Sequence, residues 1–258
     1  MHVKDMFRMD GKVAIVTGGS VGLGAQMATA LAEAGANVVI AARKVERCVE
    51  LASKLEELGI RALPVACDVS KTEDCQRLVD TTVEEFGRLD ILVNNAGISW
   101  IAPAIDFPLD KWQRVMSLNV TGTFQLAQMA ARVMKVQGGG KIINMCSIGA
   151  FGGDYPENVD SIVYTTSKGA VLTMTKDLAV KWARYGITVN AICPGWFPTG
   201  LNDQHLNKMA AQLIPRIPLG RYGGDQDLKG LTVFLASAAS DYMTGQYVIV
   251  DGGQSALT

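Results

Sequence analysis

The sequence predicts one doubly wound α/β domain, a seven-stranded parallel sheet flanked by helices. Three observations lead there. Short apolar, β-rich runs alternate with longer amphipathic stretches along the chain. The apolar runs are continuous rather than alternating, as strands buried on both faces require. A glycine-rich turn joins the first run to the first helical stretch.

The first strand is expected at Lys12–Thr17, followed by the alanine-rich helix Gly22–Ala34. Asn37–Ala41 is a valine- and isoleucine-rich run, and Val45–Leu58 after it has helical spacing of apolar residues. Ala62–Cys67 and Thr72–Phe86 repeat the pair, and Leu89–Val93 opens the next unit. A long helix at about Leu109–Val136 leads to Lys141–Cys146, and a second at Ser161–Tyr185 leads to Thr188–Ile192. Tyr247–Val250 closes the set. Such alternation makes the strands parallel and the helices crossovers on both faces. No linker or internal repeat divides residues 1–258, so one domain is expected. The long interruption, about 194–224, carries four of the eight prolines. Segments of that length usually form a lid or a binding loop.

Composition narrows the function. The chain of 258 residues has a formal net charge of −1, which argues against a nucleic-acid surface. No apolar run is long enough to span a bilayer, and the N-terminal residues lack a signal-peptide core, so a cytoplasmic protein is expected. Five cysteines without a C-x-x-C pair signal neither a disulfide framework nor a zinc ribbon. With two histidines in the chain, a histidine-built metal site is not expected.

The turn reads Thr17-Gly18-Gly19-Ser20-Val21-Gly22-Leu23-Gly24. Glycines let the backbone bend sharply and approach a ligand, and the following helix N-terminus offers free N–H groups to phosphate. The spacing is G-x-x-x-G-x-G rather than the commoner G-x-G-x-x-G, and its place between a first strand and a first helix leads to the expectation of a dinucleotide-binding turn. The second strand ends Ala42-Arg43-Lys44. An acid there would bind the ribose 2′-hydroxyl of NAD, whereas cations suit the 2′-phosphate of NADP. NADP(H) is favoured and NAD(H) stays open, since Arg43 and Lys44 also read as solvated residues opening the next helix.

Tyr164 and Lys168 stand four apart in a helical pattern, on one face. A free tyrosine has a pKa near ~10, and a neighbouring cation favours its phenolate. With Ser147 ending an earlier apolar run, these residues suggest proton transfer to or from a substrate oxygen.

Together these motifs resemble the short-chain dehydrogenase/reductase family from about Gly11 to Gly253. Cys67-Asp68-Val69, Asn94-Asn95-Ala96-Gly97, Ser117-Leu-Asn119-Val, Pro194-Gly195 and Val250-Asp-Gly-Gly253 add to it. The loop 151–160, the run from Tyr164 and Ile192–Thr199 are similar to its gluconate 5-dehydrogenase-like and 3-oxoacyl reductase-like branch. The resemblance implies interconversion of a ketone and a secondary alcohol by Asn119, Ser147, Tyr164 and Lys168. Tyr164 would move the proton and Ser147 would hold the substrate oxygen. Lys168 would bind the nicotinamide ribose and lower the Tyr164 pKa, with Asn119 holding a water in a relay toward it. Gly18, Ser20, Gly22, Leu23 and Gly24 would meet the pyrophosphate and ribose, and Asp68 and Val69 the adenine. Asn95, Ala96 and Gly97 would support that pocket, while Pro194, Gly195, Phe197 and Thr199 would border the nicotinamide. The family also implies a homotetramer, with the two long helices pairing across a two-fold axis and the C-terminal strand region forming another contact.

The substrate is expected between the sheet's C-terminal edge and the 194–224 loop. Trp100, Phe151, Tyr155, Trp196 and Leu206 would line an apolar pocket suited to a ring-shaped ketone, unless several of them merely pack the loop. Asn202, His205 and Arg221 are donors that a sugar acid would use. Two other readings compete. Gly18-Gly-Ser20-Val-Gly22 matches the G-x-S-x-G elbow of esterases, and a dinucleotide fold can also serve a non-catalytic sensor.

Overall fold

The computed structural model describes residues 2–200 and 203–257, apart from the side chain of His205. Seven strands form one parallel sheet: β1 Val13–Thr17, β2 Asn37–Ala42, β3 Ala62–Ala66, β4 Ile91–Asn94, β5 Gly140–Met145, β6 Ile187–Pro194 and β7 Tyr247–Val250. Their spatial order is β3-β2-β1-β4-β5-β6-β7. The chain winds outward from β1 to β3, then returns to β1's other side to begin again at β4. That reversal opens a crevice beyond the C-terminal ends of β1 and β4, where ligands bind in such sheets.

The helices are α1 Gly22–Glu33, α2 Val45–Glu56, α3 Thr72–Phe86, α4 Leu109–Met116, α5 Thr123–Gln137, α6 Pro156–Val159, α7 Ile162–Trp182, α8 Asp203–Leu213 and α9 Lys229–Ala236. Every residue of β1 is buried, and its side chains divide between two cores. Val13 and Ile15 face Leu78 of α3, Leu126 of α5 and Leu178 of α7. Ala14 and Val16 face Met27 and Leu31 of α1, Ala52 of α2 and Leu235 of α9. This two-sided burial explains the unbroken apolar runs. Truncating a fully buried residue such as Ile15 would cost about 2–5 kcal/mol through lost transfer energy and the cavity left behind.

Two elements differ from expectation. The long helix expected at 109–136 is interrupted, because Ser117–Gly122 between α4 and α5 is a π-helical segment. Gly122 permits the local approach, since a Cβ there would lie 2.5 Å from the Val69 carbonyl oxygen. The 194–224 segment is not all loop: it contains α8, whose Leu206, Met209 and Leu213 pack with Trp196 and Tyr222 as a small separate core. Among the described residues no helix is long and apolar enough to cross a membrane.

Candidate active site

The glycine turn sits at the switch point. Gly18 and Gly22 have φ of +59° and +55°, conformations that side chains other than glycine rarely adopt. Gly24 has a different reason. A Cβ there would lie 2.2 Å from the Gly18 oxygen and 2.6 Å from Asn95 Nδ2, so helix and turn could not close. The α1 N-terminus begins at Val21 without a side-chain cap and has no acidic residue in its first turn. Its N–H groups therefore remain for an anion. Thr199 packs on the same turn, 2.8 Å from where a Gly22 Cβ would stand.

Asn95 braces the turn from below. Its Nδ2 donates to the carbonyls of Thr17 (2.9 Å) and Gly18 (3.1 Å), while the N–H groups of Asn95 and Ala96 donate to Thr17 Oγ1. Asp68 Oδ1 accepts from the Ser70 N–H and hydroxyl, fixing the loop after β3. Arg43 and Lys44 follow β2 exposed, and among the described residues neither side chain has an ion-pair partner. An uncapped helix end, a glycine cradle and two unengaged cations fit a phosphorylated dinucleotide.

Ser147, Tyr164, Lys168 and Asn119, expected from the sequence to serve proton transfer, lie on the elements that follow β4 and β5. Ser147 leaves the end of β5, with its Oγ accepting from the Gly149 N–H at 3.1 Å. The short turn Ile148–Ala150 packs against α7, which brings Ser147 near that helix's first turns. Tyr164 and Lys168 share one face of α7. Lys168 is 5% exposed, and its Nζ lies 5.5 Å from the Tyr164 ring centroid. The same Nζ donates to the Met145 carbonyl at 2.7 Å and has no carboxylate partner among the described ion pairs. Asn119 lies in the π-helical segment, buried, with Oδ1 3.5 Å from where a Gly97 Cβ would stand; Lys168 Nζ is 3.6 Å from that point. Thus Asn119, Lys168 and Gly97 converge. No described hydrogen bond uses the Tyr164 hydroxyl, leaving a phenol available to a substrate oxygen.

The substrate side departs from the sequence reading. Phe151 turns away: its ring packs on Tyr247, at the far end of β7, with centroids 5.0 Å apart. The chain reverses direction after Ser147 to pack on α7, and this carries Phe151 back along the sheet. Trp196 and Leu206 sit in the small core of α8, so they hold the 194–224 segment together. Trp100 lies under the Lys111 ammonium at 4.9 Å and stays partly exposed, and Tyr155 is exposed before α6. Asn202 and the side chain of His205 lie outside the described residues. Arg221 is engaged by Asp227, at 2.6 and 3.1 Å, and does not stand free for a substrate.

Two serines emerge that sequence reasoning left unconnected. Ser161 Oγ donates to the Trp100 carbonyl at 2.8 Å, so the 2.7 Å contact with Ser99 must be donated by Ser99. With the Ala102 N–H on the Asp160 carbonyl, this clamps the β4 loop to the start of α7. Neither serine falls in a recognised motif, and their pairing spans 62 residues.

The end of the 194–224 segment has an acid-sensitive tie. The Arg221 guanidinium, followed by the Gly224 N–H, pulls the Asp227 carboxyl down to about 2 from the ordinary 3.8. The lower pKa belongs to the folded form. The tie therefore stabilises fully above about pH 4 and is lost as pH falls through about 2. Asp227→Asn should loosen the segment at neutral pH, read as faster proteolysis of 194–224, with wild type and variant converging below that window.

A family model described as enoyl-(acyl carrier protein) reductase matches residues 18–255. The chain is 44% identical over 255 residues to the 2-dehydro-3-deoxy-D-gluconate 5-dehydrogenase of Dickeya dadantii, covering 97% of this chain and 98% of that one. A short-chain type dehydrogenase/reductase from Mycobacterium marinum superposes with a TM-score of 0.95 at 42% identity, covering 99% of this chain and 100% of that one. A gluconate 5-dehydrogenase from Burkholderia cenocepacia, crystallised with NADP and tartrate, gives 0.93 at 40% identity over the full length of both.

Proposed function

The chain belongs to the short-chain dehydrogenase/reductase family and is an oxidoreductase interconverting a ketone and a secondary alcohol, and within that chemistry we propose that Asn119, Ser147, Tyr164 and Lys168 carry the reaction. The observation that supports this assignment is that Asn119 and Lys168 meet at Gly97 with the Tyr164 ring 5.5 Å from Lys168 Nζ, and that no described hydrogen bond uses the Tyr164 hydroxyl. The esterase reading of Ser20 has no support: Ser20 belongs to the phosphate turn, and the relatives are oxidoreductases. The sensor reading falls on the same comparisons.

In reduction Tyr164 gives its proton to the carbonyl oxygen, and in oxidation it takes the proton from the alcohol. Ser147 Oγ donates to the same oxygen and fixes where it sits. The Lys168 ammonium stands beside the phenol, where negative charge gathers as the proton leaves. A bound nicotinamide supplies or accepts the hydride. Gly18, Ser20, Gly22, Leu23 and Gly24 would hold its pyrophosphate side, Asp68 and Val69 the adenine, and Asn95, Ala96 and Gly97 the floor. Pro194, Gly195, Phe197 and Thr199 would border the nicotinamide, and Arg43 with Lys44 would receive the 2′-phosphate of the preferred NADP(H). The 194–224 segment would cap the substrate.

For the substrate we infer a keto or hydroxy acid of the sugar series. The relatives named for gluconate chemistry span the whole chain, and the apolar lining expected from Phe151, Trp196 and Leu206 is largely used for packing. NADPH oxidation should be faster with 5-keto-D-gluconate than with cyclohexanone. The opposite order would restore an apolar ring as the substrate body.

A homotetramer acting in the cytoplasm completes the proposal. Val136 and Val180 are 88% and 80% exposed on α5 and α7, with Phe124 and Ile162 also open to solvent. Phe151 and Tyr247 form a second exposed aromatic patch near β7, and Tyr242 in the loop before that strand is exposed as well. Self-complementary faces usually close by symmetry. Light scattering should give four chains of 27.6 kDa, and a monomer at micromolar concentration would reject this.

A further inference from the structure

Asn119 is 1% exposed, and its whole carboxamide is engaged within the protein. Oδ1 accepts from the Ile98 N–H at 2.9 Å, while Nδ2 donates to the Ile98 carbonyl at 2.9 Å and to Ser167 Oγ at 2.9 Å. These partners fix the amide's orientation, because only its nitrogen can serve a carbonyl. They also fix the next bond. Ser167 Oγ accepts a hydrogen bond from Asn119 Nδ2, and its own hydroxyl donates to the Tyr164 carbonyl at 2.7 Å. A hydroxyl with no solvent exposure thus joins the π-helical segment to the first turn of α7. Among the described residues it makes the one side-chain hydrogen bond between those two elements.

We propose that Ser167 is a positioning residue for the reaction, setting where Asn119 stands relative to Tyr164 and Lys168. This rests on the reading of those residues as the catalytic group. The two bonds to Ile98 hold Asn119 to the loop after β4, beneath the cofactor side. They do not tie it to the helix that carries the proton donor. Ser167 supplies that tie, and removing its oxygen leaves a buried Asn119 N–H without an acceptor.

The fold has an independent anchor farther along α7. Asn94 Nδ2 donates to Asn144 Oδ1 at 3.0 Å, and Asn144 Nδ2 donates to Thr175 Oγ1 at 2.9 Å, pinning the middle of the helix to the sheet. Nearer the catalytic turn, Lys168 Nζ on the Met145 carbonyl and Cys146 Sγ on the Lys168 carbonyl hold α7 to the end of β5, so losing Ser167 Oγ unties Asn119 from that turn while the helix itself stays seated. A misplacement of about 1 Å can cost on the order of 100-fold in rate, so a small shift here is enough to matter.

The test compares Ser167→Ala, Ser167→Thr, Asn119→Ala and the double alanine variant, with NADPH and 5-keto-D-gluconate as probes. Ser167→Ala should lower kcat by about 10- to 100-fold while KM and NADPH affinity, read by fluorescence, stay nearly unchanged. Ser167→Thr keeps the hydroxyl and should recover most of kcat. In the Asn119→Ala background, Ser167→Ala should add little, because its partner is already gone. An unchanged kcat in Ser167→Ala, even with a lower melting temperature, would overturn the proposal, and so would a full additional loss in the double variant. One arm needs no turnover and so stands apart from the functional reading. With isotopically labelled asparagine, the Asn119 side-chain protons should exchange slowly in wild type and Ser167→Thr and fast in Ser167→Ala. Equal exchange would show that the tie does not hold in solution and would overturn the inference by itself.

Discussion

Tyr164→Phe is expected to abolish turnover while NADPH still binds. The substitution removes one oxygen and keeps the ring, so the cation contact with Lys168 at 5.5 Å can persist. In the proposed mechanism, what disappears is the proton that reaches the substrate oxygen as hydride arrives. A positioned acid or base typically contributes about 10²- to 10⁴-fold, roughly 3–6 kcal/mol at about 1.4 kcal/mol per tenfold. Here no second phenol or imidazole is described beside Lys168 to take over, which places the loss toward the upper end. Ser147→Ala should also be severe, because the substrate oxygen loses a donor. Lys168→Met should differ in kind: it should weaken cofactor binding as well as turnover, since the ammonium is assigned to both. Absorbance of the reduced nicotinamide reports turnover and fluorescence reports binding. Near-wild-type activity of Tyr164→Phe across pH would mean that another group moves the proton.

What the sequence revealed depended on how local each signal was. The strands were legible because burial on both faces leaves nothing but apolar residues in runs such as Val13–Val16. The turn after β1 was legible because its glycines are forced by backbone geometry: Gly18 by positive φ and Gly24 by a 2.2 Å approach to the Gly18 oxygen. Tyr164 and Lys168 were legible because one helical turn makes them neighbours. Side-chain direction over longer distances was not. Phe151 lies four residues after Ser147, yet the reversal at Ile148–Ala150 carries it to Tyr247, and no spacing rule encodes that reversal. Helix α8 had a readable stripe at Leu206, Met209 and Leu213, obscured by flanking prolines that suggested an irregular loop. The π-helical segment around Asn119 had no periodicity signal, since one inserted residue leaves the apolar pattern nearly intact. Such π-helical turns often mark functional positions, and this one brings the Asn119 carboxamide to Ile98 and Ser167.

Cofactor choice should follow the end of β2. Ala42 is the last residue of that strand, and Arg43 and Lys44 stand beyond it, exposed and without described ion-pair partners. A free guanidinium pays no penalty for leaving another carboxylate when it turns to the ribose phosphate. A charge-assisted hydrogen bond to phosphate contributes about 1.5–3 kcal/mol, or about 10- to 150-fold in affinity. Val21, at the start of α1, adds no charge, so the NADPH preference should fall toward the lower end of that range. Because both cations are exposed, the preference should shrink as salt screens them. Ala42→Asp should reverse it. The new carboxylate would accept from a ribose 2′-hydroxyl and repel a 2′-phosphate, moving the two affinities in opposite directions. Arg43→Ala should weaken NADPH binding and leave NADH binding nearly unchanged. Fluorescence titration of both reduced cofactors against wild type and variants measures all of this without a substrate. Tighter NADH binding by the wild type would mean that Arg43 and Lys44 face solvent in the complex, and that neither reads the phosphate.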